Sequence, residues 1–374
     1  MKRTYGTCVF GVRTPIIEKG DNLVRIVVDS TIATAGQVGL TLSDNDIVGV
    51  TEAVVAISQG NYINIKDIAT DIGNKFHGEP VGIVHPIFSR NRFQNILKGI
   101  AGGAEKVYVL LANVDEQGNA LFNKQGRPEH PITKQNYIEL YRSMGDNIQV
   151  IVSDNPTDIL KETRNIIVGS IHNRDEVKEL FQQNGANKVI TLADIMNKPI
   201  EGSGYNPQYG VMGSNFATAE TLKLFPRDCD EFVHAVQQEF FNRIKVKPEV
   251  MVFGDGAYKD PATGIWELAD PVVSPGFTTR LGHVGRGDTK LKAIADEQLS
   301  NMSKQEKERE INRIIAENQK KSGDGALGTT PRTLVNLVGS MMDLASGSGN
   351  KGTPCVLVHG YFDTRADEDI KMQK

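Results

Sequence analysis

A chain of 374 residues, 39% hydrophobic and 24% charged, is long enough for two domains, or for one large domain with an insertion, around a real core. A formal net charge of −4 gives no electrostatic reason to expect nucleic acid, and no apolar run is long enough to cross a bilayer. Cys8, Cys229 and Cys355 are odd in number and far apart, and "MKRTYGTCVFGVRTP" carries no signal-peptide pattern, so neither a disulfide framework nor a cysteine zinc site is expected, and the expected location is cytoplasmic.

The chain opens with a small α/β unit. Pro15 and a Gly20-Asp21 turn precede a helix-like spacing at Leu23, Ile26 and Val27, and "DIVGVTEAVVAIS" (46–58) reads as a strand followed by a turn or a helix start. From 81 to 195, "VGIVHPIF", "KVYVLLAN", "NIQVIVSD", "NIIVGS" and "KVITLAD" are β-rich runs. They alternate with "NRFQNILKGIAGGA", "KQNYIELYRSMG", "PTDILKE" and "RDEVKELFQQNG", each with helical spacing, which predicts a largely parallel sheet with right-handed crossovers. The polar stretch 115–131 reads as a surface loop. "EGSGYNPQYGVMGSN" (201–215) marks a boundary, followed by a helix over 230–244 and the apolar strand "VMVFG" that stops at Asp255. Residues 295–321 predict a solvated helix, and the remainder closes with a buried helix, a glycine loop and a final strand.

Four stretches carry possible chemistry. Asp255 lies between Gly254 and Gly256, where the backbone leaves space for another group; a carboxylate there can bind a divalent cation and still admit phosphates, although Gly-Asp-Gly also makes ordinary tight turns. "HPIFSRNRF" (85–93) puts His85, Ser89, Arg90 and Arg92 at a strand-to-helix junction suited to an anion, or to a solvated helix start. "RLGHVGRGDTK" (280–290), with Arg286, reads as an anion-binding loop or an exposed basic turn. "KGIAGGAEK" lacks both the dinucleotide and the Walker patterns and reads as a helix end, so no nicotinamide site is expected.

Taken in order, several blocks resemble the coenzyme F-420 gamma-glutamyl ligase family. "GVRTPIIEKGDNL" is similar to that family's opening G-x-P-x-I-x-x-G-D-D-L. "YGVMGSNFATAETLKLFPRDCDEF" resembles its H-G-F-V-C-A-N-A-G-I-D segment and the L-L-P-x-D-P-D after it. "VMVFGDGAYKDP" resembles V-I-S-D-T-x-G-R-P, and "MMDLASGSGNKGTPCVLVHG" resembles the closing block. The similar blocks cover 5–60 and 205–362. The resemblance implies a mixed α/β fold: a discontinuous ligase-like domain (1–75 and 201–374) enclosing an inserted or diverged, largely parallel α/β domain (76–200).

It also implies ligation of glutamate, or a similar amine, to a substrate carboxylate using GTP or ATP and Mn2+ or Mg2+, by an intertwined homodimer. Asp255 takes the place of the family's metal-binding aspartate. Thr14, Pro15, Ile16 and Ile17 fall on the nucleotide-contacting opening, Asn215 matches the asparagine of A-N-A-G, and Asn336 falls near a late aspartate. The second metal aspartate falls at Ala219, so Glu220 or Glu52 is the expected helper, and the family's lysine is absent where Glu52 through Ile57 stand. Arg90, Arg92 and Arg286 are expected to hold the acidic substrate. The substitutions leave a second reading open, a non-catalytic nucleotide- or ligand-binding protein on the same fold.

Overall fold

The computed structural model describes residues 5–88, 90–114, 120–130, 133–171, 173–254, 257–259, 266–268, 273–282, 299, 302–318, 333–346 and 351–363. In chain order the elements are β1 (Cys8–Val12), α1 (Leu23–Gln37), β2 (Ile47–Thr51), α2 (Glu52–Gln59), β3 (Tyr62–Asn64), α3 (Ile65–Phe76), β4 (Val81–Val84), α4 (Arg90–Gly103), β5 (Val107–Leu111), α5 (Tyr137–Arg142), β6 (Ile148–Val152) and β7 (Asn165–Val168). Then come α6 (Arg174–Gln183), β8 (Lys188–Thr191), β9 (Asn215–Phe216), β10 (Thr221–Lys223), α7 (Cys229–Ile244), β11 (Glu249–Gly254), β12 (Ala257–Lys259), β13 (Trp266–Leu268), β14 (Val273–Phe277), α8 (Lys304–Asn318), α9 (Leu334–Ser346) and β15 (Cys355–His359). None of the described helices is long and apolar enough to cross a membrane.

The chain divides into two compact units. One is drawn from Met1–Val55, Asp228–Tyr258 and Leu268–Lys374, the other from Ala56–Arg227 and Lys259–Glu267. The expected boundaries at 75/76 and 200/201 therefore fall inside the second unit. The reason is local pairing: β3 is joined to β10 and β10 to β9, which ties residues on both sides of the parallel sheet into one body.

In the first unit a five-stranded sheet has the order β1-β15-β2-β11-β14. β2 and β11 are parallel, and the other pairings are antiparallel. Strand alternation sends Ile47, Met251, Phe253, Val356 and Val358 to one face, where they pack with Val335, Val338 and Met342 of α9. Gly49 lies under that helix because a Cβ there would sit 2.3 Å from the Met342 sulfur. Helices α1 and α7 pack on each other, α7 also meeting β11 and β14.

The second unit holds the expected parallel sheet, in the order β6-β5-β4-β7-β8. Its strands are short apolar runs because both faces are covered, by α3 and α4 on one side and by Ile159, Val177 and Phe181 on the other. Asn64 caps α3 in a reciprocal box with Asp67. Helix α4 ends at Gly103, as its paired glycines predict, and two glycines of the helix let it pack closely on α3: a Cβ on Gly103 would meet the Ala69 carbonyl at 2.3 Å, and one on Gly99 would meet Ile68 at 2.5 Å. "PTDILKE" forms a 3-10 turn, Pro156–Lys161, instead of an α-helix; it has six residues and one buried side chain, Ile159, so little packing extends it.

The cysteines are free. Burial, with lesser help from neighbouring acids at Cys229, pushes the thiols of Cys229 and Cys355 up to about 12. Cys8 is half-buried. At pH 8 a disulfide-exchange reagent is expected to modify Cys8 in the folded protein and to reach the other two only after unfolding in guanidinium. A native titre above one thiol per chain would contradict this.

Candidate active site

The registers of the first sheet bring five strand ends to one edge. Val12 stands opposite Cys355, Cys355 opposite Val50, Phe253 opposite Thr51, and Gly254 opposite Val273. The Thr51 amide donates to the Pro354 carbonyl at 2.8 Å, extending the ladder to the rim. Two sets of expected residues therefore leave the sheet on the same side: Thr14–Ile17 just past β1, and Glu52 just past β2. β11 reaches its last residue, Gly254, at this rim.

Thr14 is half-buried, and its hydroxyl donates to the Pro15 carbonyl at 2.9 Å. Ile17 is buried, whereas Ile16 is 88% exposed, an apolar side chain held in water at the rim. Glu52 is the first residue of α2, where its charge suits the positive end of the helix, yet it is only 5% exposed. It lies across the main chain of Gly254: a Cβ at 254 would stand 2.1 Å from the Glu52 Cγ. The glycine before Asp255 thus makes room for a carboxylate from another strand end. Glu52 also adds to the acidic surroundings of the Cys229 thiol at the start of α7.

Asp255 and Arg286 lie outside the described residues, as does Gly256. Among the described residues no group of three or more His, Cys, Asp or Glu side chains is placed to hold a metal ion. The donor chemistry at the rim nevertheless fits a hard divalent cation, since Glu52 is a buried oxygen donor beside a backbone position kept free of a side chain. Asp343, in the last turn of α9, has its carboxyl raised by burial; α9 reaches the same rim at Ser346, whose carbonyl accepts from the Thr353 hydroxyl. Sequence reading missed Asp343. Asn336 is ten residues before Ser346 on that helix, about 15 Å along its axis, and its neighbours Val335 and Val338 pack with Leu281 beyond the far end of β14. The structure does not bring Asn336 to the rim.

The remaining expected residues belong to the second unit. Arg90 opens α4, and Arg92, in the same first turn, is half-buried. Asn215 is in β9, opposite Lys223. Glu220 is exposed in the β9–β10 turn, where its carbonyl accepts from the Ile65 amide at 2.9 Å. Arg280, read as part of a loop, is instead built into the first unit: it lies 3.8 Å from the Phe362 ring centroid and donates to Asp44 and Asn45.

A search of curated proteins finds no match to this chain. A family model described as F420-0:Gamma-glutamyl ligase matches residues 11–360, running through the middle region that sequence blocks alone left unmatched. With the match taking in both units, the rim of the first sheet and nearly the whole sequence, the chain belongs to the F420-0:gamma-glutamyl ligase family.

Proposed function

We propose that this chain is a nucleotide- and metal-dependent amide ligase, joining glutamate or a similar amine to a small carboxylate acceptor through an acyl phosphate. Membership of a gamma-glutamyl ligase family supports the reaction class. The observation that carries the mechanism is the buried Glu52 carboxylate lying over Gly254 at the edge where β1, β2 and β11 end.

Asp255, which follows Gly254 in the sequence, would hold a Mg2+ or Mn2+ ion together with Glu52, and that ion supplies positive charge against the phosphate oxygens when bound. The Thr14–Ile17 segment holds the nucleotide, GTP or ATP, at the same edge. Arg286 is assigned to the acidic substrate, where it would limit repulsion from the triphosphate. An acceptor carboxylate oxygen then attacks the terminal phosphorus, the bond to the bridging oxygen breaks, and the nucleoside diphosphate leaves. The amine nitrogen next attacks the acyl carbon, phosphate departs with the bonding pair, and the amine proton passes to solvent or to a rim carboxylate.

A second reading rests on a specific departure: Ala219 stands where the family pattern has a metal aspartate, and no lysine lies between Glu52 and Ile57. On that reading the protein binds nucleotide without turnover. The two separate in one assay. Incubated with GTP or ATP, Mn2+ or Mg2+, glutamate and F420-0 as the first acceptor tried, the ligase forms nucleoside diphosphate and phosphate only when acceptor and glutamate are both present, and the acceptor gains one glutamyl residue by mass. Thermal stabilisation by nucleotide and metal, with no product across a panel of carboxylate acceptors, would overturn the ligase in favour of the binding protein.

A further inference from the structure

The parallel sheet of the second unit reverses its strand order part-way. From β4 the chain moves outward through β5 to β6, then returns to the other side of β4 for β7 and β8. The order therefore reverses between β4 and β7, which pair with Val84 opposite Val168. In open α/β sheets, ligands settle in the crevice outside the carboxyl ends of such a pair. Here the two loops abut at their base: the Gly169 amide donates to Val84 at 2.8 Å, and a Cβ on Gly169 would stand 2.5 Å from the His85 carbonyl oxygen. One loop precedes α4 in the chain and the other precedes α6.

Both helices have arginines in their first turns by sequence. α4, with 14 residues, has no acid in its first turn and carries Arg90 and Arg92 there. Cations at that end oppose the helix dipole and gain when an anion is bound. α6, with 10 residues, begins at Arg174, and the side chain of its capping residue Asn173 does not cap. The buried Ser170 hydroxyl donates to it instead. The first-turn acids Asp175 and Glu176 are both exposed.

Ser214 supplies a separate observation. Its residue is 2% exposed, and its hydroxyl has no hydrogen-bond partner. It lies in the segment between Met212, whose sulfur is 3.9 Å from the Arg174 guanidinium, and β9, which lies against α4. A buried hydroxyl on the stretch linking the two helices, with nothing to bond, is what a ligand group would satisfy.

We propose that this crevice, between the starts of α4 and α6, is an anion site that takes a carboxylate of the acidic acceptor, with Arg92 and Ser214 among its donors. The first loop, His85-Pro86-Ile87-Phe88, has no glycine to admit a pyrophosphate. It is also pinned by Phe88 against Tyr137, with centroids 5.2 Å apart, and by the Tyr141 hydroxyl on the Ile87 carbonyl. A compact anion fits these walls better than a dinucleotide. The assignment to the acceptor rests on the ligase reading, whereas the anion site itself does not.

The test uses the full chain, with inorganic phosphate as the compact probe and glutarate as a dicarboxylate, by titration calorimetry in the absence of metal. Saturable phosphate binding is expected, displaced by glutarate and weakened about tenfold in Arg92→Gln and several-fold in Ser214→Ala. Equal binding in wild type and both variants would place the anion elsewhere and overturn the site, as would absence of saturable binding. Displacement by metal-free GTP but not by glutarate would overturn the acceptor assignment. If Arg92→Gln does not fold, Ser214→Ala decides, because it removes one oxygen that makes no bond in the free protein. Loss of ligase turnover with phosphate binding intact would count against the ligase reading alone.

Discussion

Asp255→Asn is expected to lower metal-dependent nucleotide turnover by on the order of a hundredfold or more, the scale seen when one group that stabilises transition-state charge is removed. The expectation follows from the strand that leads to it. β11 is buried along its whole length, from Glu249 to Gly254, and runs parallel to β2 with Phe253 opposite Thr51. Gly254, the last residue of β11 and the one before Asp255 in sequence, therefore lies at the edge where β2 ends and Glu52 follows. The amide of asparagine keeps the size of the carboxylate and removes its charge, so folding should be preserved while affinity for a divalent cation falls. The measurement is kcat/KM for the nucleotide at several Mn2+ concentrations, together with Tm. Loss of turnover at unchanged Tm, partly recovered at high Mn2+, is the expected result. Wild-type turnover in this variant would remove Asp255 from the mechanism.

Gly254→Ala should damage both stability and activity. The added methyl would lie 2.1 Å from Cγ and 2.9 Å from Cβ of Glu52, atoms close to the α2 backbone that cannot swing aside as a side-chain tip can. Overpacking of this kind costs about 1–3 kcal/mol. A displacement of about 1 Å in a group that positions the reaction can cost about a hundredfold in rate. The double variant Gly254→Ala/Glu52→Ala separates the two effects. Removing the clashing atoms should return much of the lost Tm, whereas turnover should stay low because the carboxylate is gone. If Gly254→Ala alone melts and turns over like wild type, the tight passage of Glu52 over that glycine has no functional weight.

Much of the second unit was legible in the sequence. Its five strands are short apolar runs bounded by polar turns, and parallel strands covered on both faces leave that signature. The end of α4 at its glycines could be read for similarly local reasons, whereas the periodicity after "DIVGV" left a turn and a helix equally open, and the structure has the helix α2 there. What could not be read was partnership. Residues 62–76 look like any strand and amphipathic helix; only pairing of Ile63 with Leu222, and of α3 with the glycine face of α4, assigns them to the second unit. The approach of Glu52 to Gly254 joins positions about two hundred residues apart, and no periodicity encodes it. Glu52 entered as a helper by its place in a block, while its burial came from tertiary packing. Asn336 shows the converse: its position in a block says little about where a helix carries it.

The order of strands in the first sheet also bears on how the chain assembles. β15, formed from residues 355–359, stands between β1 and β2, which are formed from the first 51. Until those late residues arrive, β1 and β2 each lack a neighbour that they have among the described strands. Pairings so distant along the chain are slow to find, because a long loop must close before any contact repays it. The second unit, drawn largely from the uninterrupted stretch 56–227, has no such wait. A growing polypeptide would thus carry one finished body and one sheet with unsealed borders, and that open interval is when helper proteins guarding against clumping would matter most.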